Sequence, residues 1–198
     1  YLCNELGLDT ITMGATVACA MELVERGYIS EDEVGRSLKW GDGEALVELT
    51  RKTAYREGFG DKLADGSYRL ADSCGHAELA MVSKKQEFPG YEPRGAKAMG
   101  LAYATSPIGG SHMRGDPAYF EIFGTTFSMD PLTTKGKAAP TKRIQDLSAI
   151  VDAAGVCIFF GARMLAEKNA TMSPTGMLEY LNTATDAGYT IEELSRAA

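Results

Sequence analysis

Asp152, Gly155 and Cys157 stand at fixed offsets in the stretch Val151-Asp152-Ala153-Ala154-Gly155-Val156-Cys157-Ile158-Phe159-Phe160. A carboxylate accepts two hydrogen bonds side by side, which suits a planar amino-heterocycle. A cysteine can supply a thiolate to iron, the usual protein ligand of iron–sulfur clusters. The glycine falls where a helix running from Thr141 would end, and its access to positive φ turns the following amides outward at low cost. An acid in the last turn opposes the helix dipole, a small penalty that a donor-rich partner would offset. The pattern has an echo in Asn4-Glu5-Leu6-Gly7-Leu8-Asp9. Two copies far apart in sequence suggest two equivalent sites converging on one object. The plainer reading is a helix end with a surface acid and a buried, inert cysteine. On these residues alone the two readings stand level.

A second stretch with chemical potential is Ser106-Pro107-Ile108-Gly109-Gly110-Ser111-His112-Met113-Arg114-Gly115. Imidazole titrates near neutral pH and can give or take a proton. The placement of His112 after two glycines and ahead of Arg114 favours such a role over that of a surface histidine. Nothing comparable marks His76, the other histidine. Lys84, Lys85 and Arg94 read as a solvated basic face.

These residues must be positioned by the rest of a chain of 198 residues, long enough for one domain or two small ones with a real core. The net charge of -7 argues against a nucleic-acid surface. No apolar run reaches the length of a membrane span, and no signal sequence opens the chain. No two of Cys3, Cys19, Cys74 and Cys157 lie at CxxC spacing, so no self-contained zinc or cluster site is encoded. Four scattered cysteines do not form a secreted disulfide framework either, and a reducing, cytoplasmic setting is expected. An opening at Tyr1-Leu2-Cys3 without an initiator Met, and a close in a barely begun helix at Glu192–Arg196, read as a fragment.

The periodicity predicts a mainly helical fold. Met13 to Arg26 is a helix rich in small residues, fit for burial, with Gly27 as its cap. Ser30-Glu31-Asp32-Glu33 is a capping box, and Asp42 caps a helix over Glu44 to Glu57 that Gly58 and Gly60 end. Short helices follow at Asp61 to Asp65 and Ser67 to Ser73. Gly75 to Pro93 reads as irregular, Gly95 to Thr105 as helical, and Thr125 to Thr141 as a polar loop. Thr141 caps a helix to Ala154, with Ile144, Leu147 and Val151 on one face. Ser173-Pro174 and Thr190-Ile191-Glu192-Glu193 mark two further helix starts. Convincing strands are absent.

Taken together, these stretches resemble the aldehyde ferredoxin oxidoreductase family of tungsten (sometimes molybdenum) pterin enzymes. Asn4 to Asp9 is similar to the family's first pterin motif, Asp-x-x-Gly-Leu-Asp, and Asp152 to Cys157 to its second, Asp-x-x-Gly-Leu-Cys. Between them, Pro89-Gly90-Tyr91-Glu92-Pro93-Arg94-Gly95 and Gly100-Leu101-Ala102-Tyr103-Ala104-Thr105-Ser106 follow a further family run, and Ser111-His112-Met113-Arg114 falls on its histidine element. The match covers nearly the whole chain in the right order.

The resemblance implies the helical second and third domains of a larger subunit, as two closely packed subdomains over about 1–105 and 106–198, with the N-terminal pterin-binding domain outside this sequence. It implies a tungsten (or molybdenum) bis-pterin held by Asn4, Leu8 and Asp9 on one side and by Asp152, Val156 and Arg114 on the other. Cys157 is then the fourth ligand of a 4Fe-4S cluster whose other cysteines lie upstream, so this portion alone need hold neither group and should be inactive. His112 matches the family's proton-transfer histidine. The implied partners are an aldehyde, ferredoxin, the N-terminal domain and a second copy of the chain, with neither nucleic acid nor membrane. Two departures stand out: Asn4 replaces an aspartate, and Ile108 replaces a cofactor-binding arginine. They leave room for a cofactor-free helical module, or for the catalytic part of an aromatic-acyl-CoA reductase, beside the aldehyde-oxidising reading.

Overall fold

The structure, a computed structural model, describes residues 1–124, 128–159 and 174–197. The expected loop from Thr125 and the helix-start signal at Ser173 lie partly outside those residues. The chain forms two compact units: Tyr1–Gly90 with Ile108–Ser111, and Tyr91–Pro107 with His112–Ala198. Residues 91–107 thus pack with the second unit, and residues 108–111 with the first. Both units are helical. The described residues include one pair of short strands, and none of their helices is long and apolar enough to cross a membrane.

In the first unit, α1 (Leu2–Leu6) leads into α2 (Thr10–Glu25), the central helix. Met13, Thr16, Val17, Cys19, Ala20, Met21 and Leu23 of α2 are all buried. The helix begins three residues earlier than Met13 because Asp9 caps it, its carboxylate accepting the Thr12 N–H at 2.6 Å. Ser30 caps α3 (Glu31–Val34) as its capping box predicts, accepting from the Glu33 N–H. Asp42 caps α4 (Gly43–Tyr55) through the Ala45 N–H at 2.8 Å. Both α1 and α4 pack against α2.

α4 ends at Arg56, which takes the left-handed conformation at φ 53°, and not at the expected Gly58. Gly60 has a different task. A Cβ there would lie 2.2 Å from the Lys52 carbonyl carbon, so only glycine lets α5 (Phe59–Leu63) cross α4 this closely. α6 (Ser67–Ser73) follows as predicted and packs on α2.

The expected irregular stretch after Gly75 contains a small hairpin, β1 (Val82–Ser83) paired antiparallel with β2 (Gln86–Glu87). Two residues per strand are too few to show a period of two in sequence. The turn uses Lys84 and Lys85 at φ 51° and 66° without a glycine. Glu87 anchors the hairpin: its buried carboxylate accepts both the backbone N–H and the hydroxyl of Ser67, at 2.9 and 2.8 Å. That carboxylate caps α6, whose own N-cap residue, Gly66, has no side chain to do so.

The second unit contains α7 (Lys97–Thr105), α8 (Pro117–Phe123), α9 (Ala138–Ala153), α10 (Pro174–Thr185) and α11 (Ile191–Ala197). Ala98, Phe120, Met129 and Ile144 form a core cluster. α9 starts three residues before Thr141, since Pro140 is tolerated in a first turn where its missing N–H has no partner to lose. Its inward face is Thr141, Ile144, Ser148 and Val151, with Leu147 half-buried beside it. Here too a buried glutamate caps from afar: Glu121 accepts the Ala98 N–H at 2.9 Å and pairs with the buried Lys137 ammonium. α11 opens on a complete capping box, with Thr190 and Glu193 each accepting from the other's N–H.

Candidate functional site

Both copies of the sequence motif are helix ends of one kind. At the end of α1, Gly7 takes φ 69°, its N–H donates to the Asn4 carbonyl at 3.4 Å, and the Leu8 N–H donates to the Cys3 carbonyl at 2.8 Å. At the end of α9, Gly155 takes φ 68°, its N–H donates to the Asp152 carbonyl at 3.0 Å, and the Val156 N–H donates to the Val151 carbonyl at 3.1 Å. This is a left-handed glycine closure in which the chain doubles back on the last turn. It turns the chain at Leu8 and Val156, both half-buried, and leads each time into helical backbone. Asp9 immediately precedes α2, and Cys157 immediately precedes the helical residues Ile158 and Phe159.

The side chains differ between the copies. Asn4 is exposed, and its amide makes no hydrogen bond among the described residues. Asp9 is exposed and uses one oxygen to cap α2. Asp152 is ion-paired with Arg114 through its Oδ2 and the Arg114 Nη1, with both side chains partly buried. The donor-rich partner foreseen for the acid is therefore present within the chain, as a guanidinium. Cys157 is an exposed free thiol, contrary to the reading of a buried inert cysteine. Its exposure leaves the sulfur open to a metal, which a buried thiol would not be.

His112 is half-buried and packs its ring against that of Tyr91, with centroids 5.2 Å apart and the planes tilted by 37°. Tyr91 is held in turn by Tyr103 of α7, whose buried hydroxyl donates to the Tyr91 carbonyl at 3.0 Å. Burial keeps that phenol well above its usual range, so it remains a donor. Glu92 accepts from the Arg94 side chain and backbone, which holds its carboxyl down to about 2. Gly100 lies under Pro93, where a Cβ would come within 3.1 Å of that ring. The run from Tyr91 to Tyr103 thus forms a braced turn that presents Tyr91 to His112. Sequence periodicity cannot find such a contact, because neither ring lies on a helix face.

Asp116 caps α8, accepting from the Tyr119 N–H, and burial raises its carboxyl while the nearby His112 opposes that shift. The glycines before His112 have a steric cause as well. A Cβ on Gly109 would lie 2.3 Å from the Ser83 carbonyl oxygen, and one on Gly110 would lie 2.6 Å from that of Gln86. Segment 108–111 therefore lies against the hairpin in the first unit, and Gly110 donates to Ser83 at 3.2 Å. Ile108, in place of the expected arginine, is exposed. His76 is a packing residue, stacked on Tyr28 at 3.6 Å and bonded to Glu78. Lys85 lies over the Tyr68 ring, so it is engaged on the surface and not merely solvated.

Asn4, Leu8 and Asp9 belong to the first unit, and His112, Arg114, Asp152, Val156 and Cys157 to the second. Of these, the structure joins Arg114 to Asp152 directly. Among the described residues no three His, Cys, Asp or Glu side chains cluster to hold a metal ion. The donor set nonetheless suits the implied groups: acceptor oxygens at 4 and 152 for an amino-heterocycle, and an accessible thiol at 157 for iron.

Comparison with known proteins bears on these residues. A family model described as "Aldehyde ferredoxin oxidoreductase, domains 2 & 3" matches residues 1–198. The chain is 49% identical over 162 residues to a tungsten-containing aldehyde ferredoxin oxidoreductase of Pyrococcus furiosus, covering 80% of this chain and 27% of that protein. It is 48% identical, with the same coverage, to the enzyme of that name from Thermococcus kodakarensis. Over a shorter 71 residues, 36% of this chain and 11% of the relative, it is 42% identical to an aliphatic sulfonate oxidoreductase, WOR-like subunit, of Pyrococcus furiosus. The chain thus spans about a quarter of the length of the aldehyde ferredoxin oxidoreductases it matches.

Proposed function

Because the chain belongs to the aldehyde ferredoxin oxidoreductase family, we propose that it is the helical, cofactor-facing part of an enzyme that oxidises aldehydes to carboxylic acids and passes the electrons through an iron–sulfur cluster to ferredoxin. The observation that carries this reading is the shared closure at Gly7 and Gly155. Two sequence motifs that the family uses on one cofactor have the same local backbone here. The longer match to the aldehyde enzymes, 162 residues against 71, favours an aldehyde over a sulfonate substrate.

A tungsten (or molybdenum) bis-pterin, when bound, supplies the two-electron redox chemistry. The residues of this chain bind, orient and manage protons. Asn4 and Asp9 with the turn at Leu8 would hold one pterin, and Asp152 with Arg114 and the turn at Val156 the other. Cys157 would ligate the cluster. His112 would take the proton released in forming the acid, with the Tyr91 ring limiting its rotation and the Asp116 carboxyl group close by. A cytoplasmic setting suits an enzyme whose Cys3, Cys19, Cys74 and Cys157 are all free thiols.

The test is aldehyde-dependent reduction of ferredoxin by the full-length enzyme under anaerobic conditions. Activity in the wild type with a loss of roughly a hundredfold or more in His112→Ala is expected for a general base. No aldehyde-dependent reduction by the wild type would remove the proposed reaction, and unchanged turnover in His112→Ala would remove its proton-transfer role.

A further inference from the structure

The Arg114–Asp152 pair is too exposed to be explained by stability. The two side chains retain 41% and 31% of their accessible surface, and an ion pair this open to solvent adds little to stability. What the pair fixes is which part of the carboxylate remains available. Arg114 engages Oδ2 through Nη1, and among the described residues the Asp152 side chain has no other hydrogen-bond partner. Among the described residues Asp152 therefore leaves one oxygen, Oδ1, unengaged on a carboxylate whose charge is already compensated. Asn4, at the equivalent position of the first motif, offers one amide oxygen and carries no charge. Two residues that differ by a full charge in sequence are thus alike in what they present.

We propose that Arg114 is a positioning residue acting through Asp152: it occupies Oδ2 and compensates the carboxylate, so that each motif presents a single charge-balanced acceptor oxygen to an amino-heterocycle. The absence of an acid at position 4 is then no defect, since the second copy reaches the same state by ion pairing. The inference rests on the cofactor reading above and adds to it that the two residues act as one unit. Their contributions to cofactor retention cannot be independent. Removing Arg114 leaves a bare carboxylate with two oxygens in the seat. Removing only the charge of Asp152 leaves an uncompensated guanidinium. Removing both restores a neutral single-acceptor pair of the kind Asn4 provides.

The test is a double-mutant cycle in the full-length enzyme, read as tungsten and pterin per polypeptide in the monodisperse fraction and not as activity. Arg114→Gln and Asp152→Asn should each lower tungsten retention roughly tenfold, the scale on which supporting shells act, and the double variant should retain more than either single one. Arg114→Lys, which keeps one cationic donor for Oδ2, should load like the wild type. Losses that multiply in the double variant, or a loss in Arg114→Lys equal to that in Arg114→Gln, would overturn the inference. A wild-type enzyme free of tungsten and molybdenum would instead overturn the cofactor reading beneath it.

Discussion

Gly7 and Gly155 adopt the same left-handed backbone, at φ 69° and 68°, each ending its helix with the same two reversed hydrogen bonds. The two residues after each glycine are also alike in form, an apolar residue at the turn and then a residue that precedes helical backbone. In the first copy that last residue is a carboxylate that caps, and in the second it is a thiol.

Apart from its immediate chain neighbours, no atom of the described residues lies within 4 Å of a Cβ built on either glycine, so substitution there meets conformational strain and not a clash. Gly7→Ala and Gly155→Ala should each lower the stability of their helix ends by about 1–2 kcal/mol, seen as a reduced thermal midpoint. Only Gly155→Ala should also lower the iron content, because Cys157 lies two residues beyond. Equal iron in both variants would separate Cys157 from the cluster.

The cysteines should differ sharply toward alkylation. Burial pushes the Cys19 thiol up to about 11, leaving almost no thiolate at neutral pH. Cys157 is exposed. After the enzyme is stripped of iron, iodoacetamide mapping by mass spectrometry should find Cys157 modified well before Cys19, and in the iron-loaded enzyme Cys157 should be protected. Equal labelling of Cys157 in both forms would contradict its ligand role.

Lys137 and Glu121 form a buried ion pair whose side chains keep 5% and 0% of their surface. The pair also ties α7 and the 130s loop together, through the Ala98 N–H and the Asp130 carbonyl. Breaking it from one side strands a buried charge, at about 3–5 kcal/mol. Lys137→Met and Glu121→Leu should therefore each depress the unfolding midpoint strongly, and the double variant should recover part of the loss. A double variant no better than the worse single one would show that the two charges do not depend on each other.

Asp116 sets a pH dependence of definite sign. Its folded carboxyl lies above the unfolded value of 3.8, chiefly through burial. The stability that goes with its protonated form is complete below 3.8 and is lost as pH rises through the raised value. Asn at this position keeps a good capping oxygen without a charge to desolvate. Asp116→Asn should therefore raise the denaturant midpoint at neutral pH, with the gain vanishing in acid. A variant destabilised equally at both pH values would show that capping by the carboxylate matters more.

Much of this is legible in sequence where the signal is local. The capping residues Ser30, Asp42 and Thr190 act as their spacing predicts, and Gly155 takes the positive φ its position demands. The misses have a common cause. Glu87 and Glu121 cap α6 and α7 from distant segments, and no short-range pattern announces a cap supplied from 20 or 23 residues away. Thr141 has the residue type of a cap and so suggests too late a start for α9, whereas it is buried on the inner face of that helix. Of the site, the motif ends and His112 can be picked out by residue type. The Arg114–Asp152 and Tyr91–His112 contacts depend on folding and cannot.

Metal analysis of the full-length enzyme, purified without oxygen, is the sharpest test of the cofactor-bearing role. Tungsten or molybdenum should be found together with iron, with the iron lost in Cys157→Ser. A well-folded wild-type enzyme carrying none of these metals would contradict it.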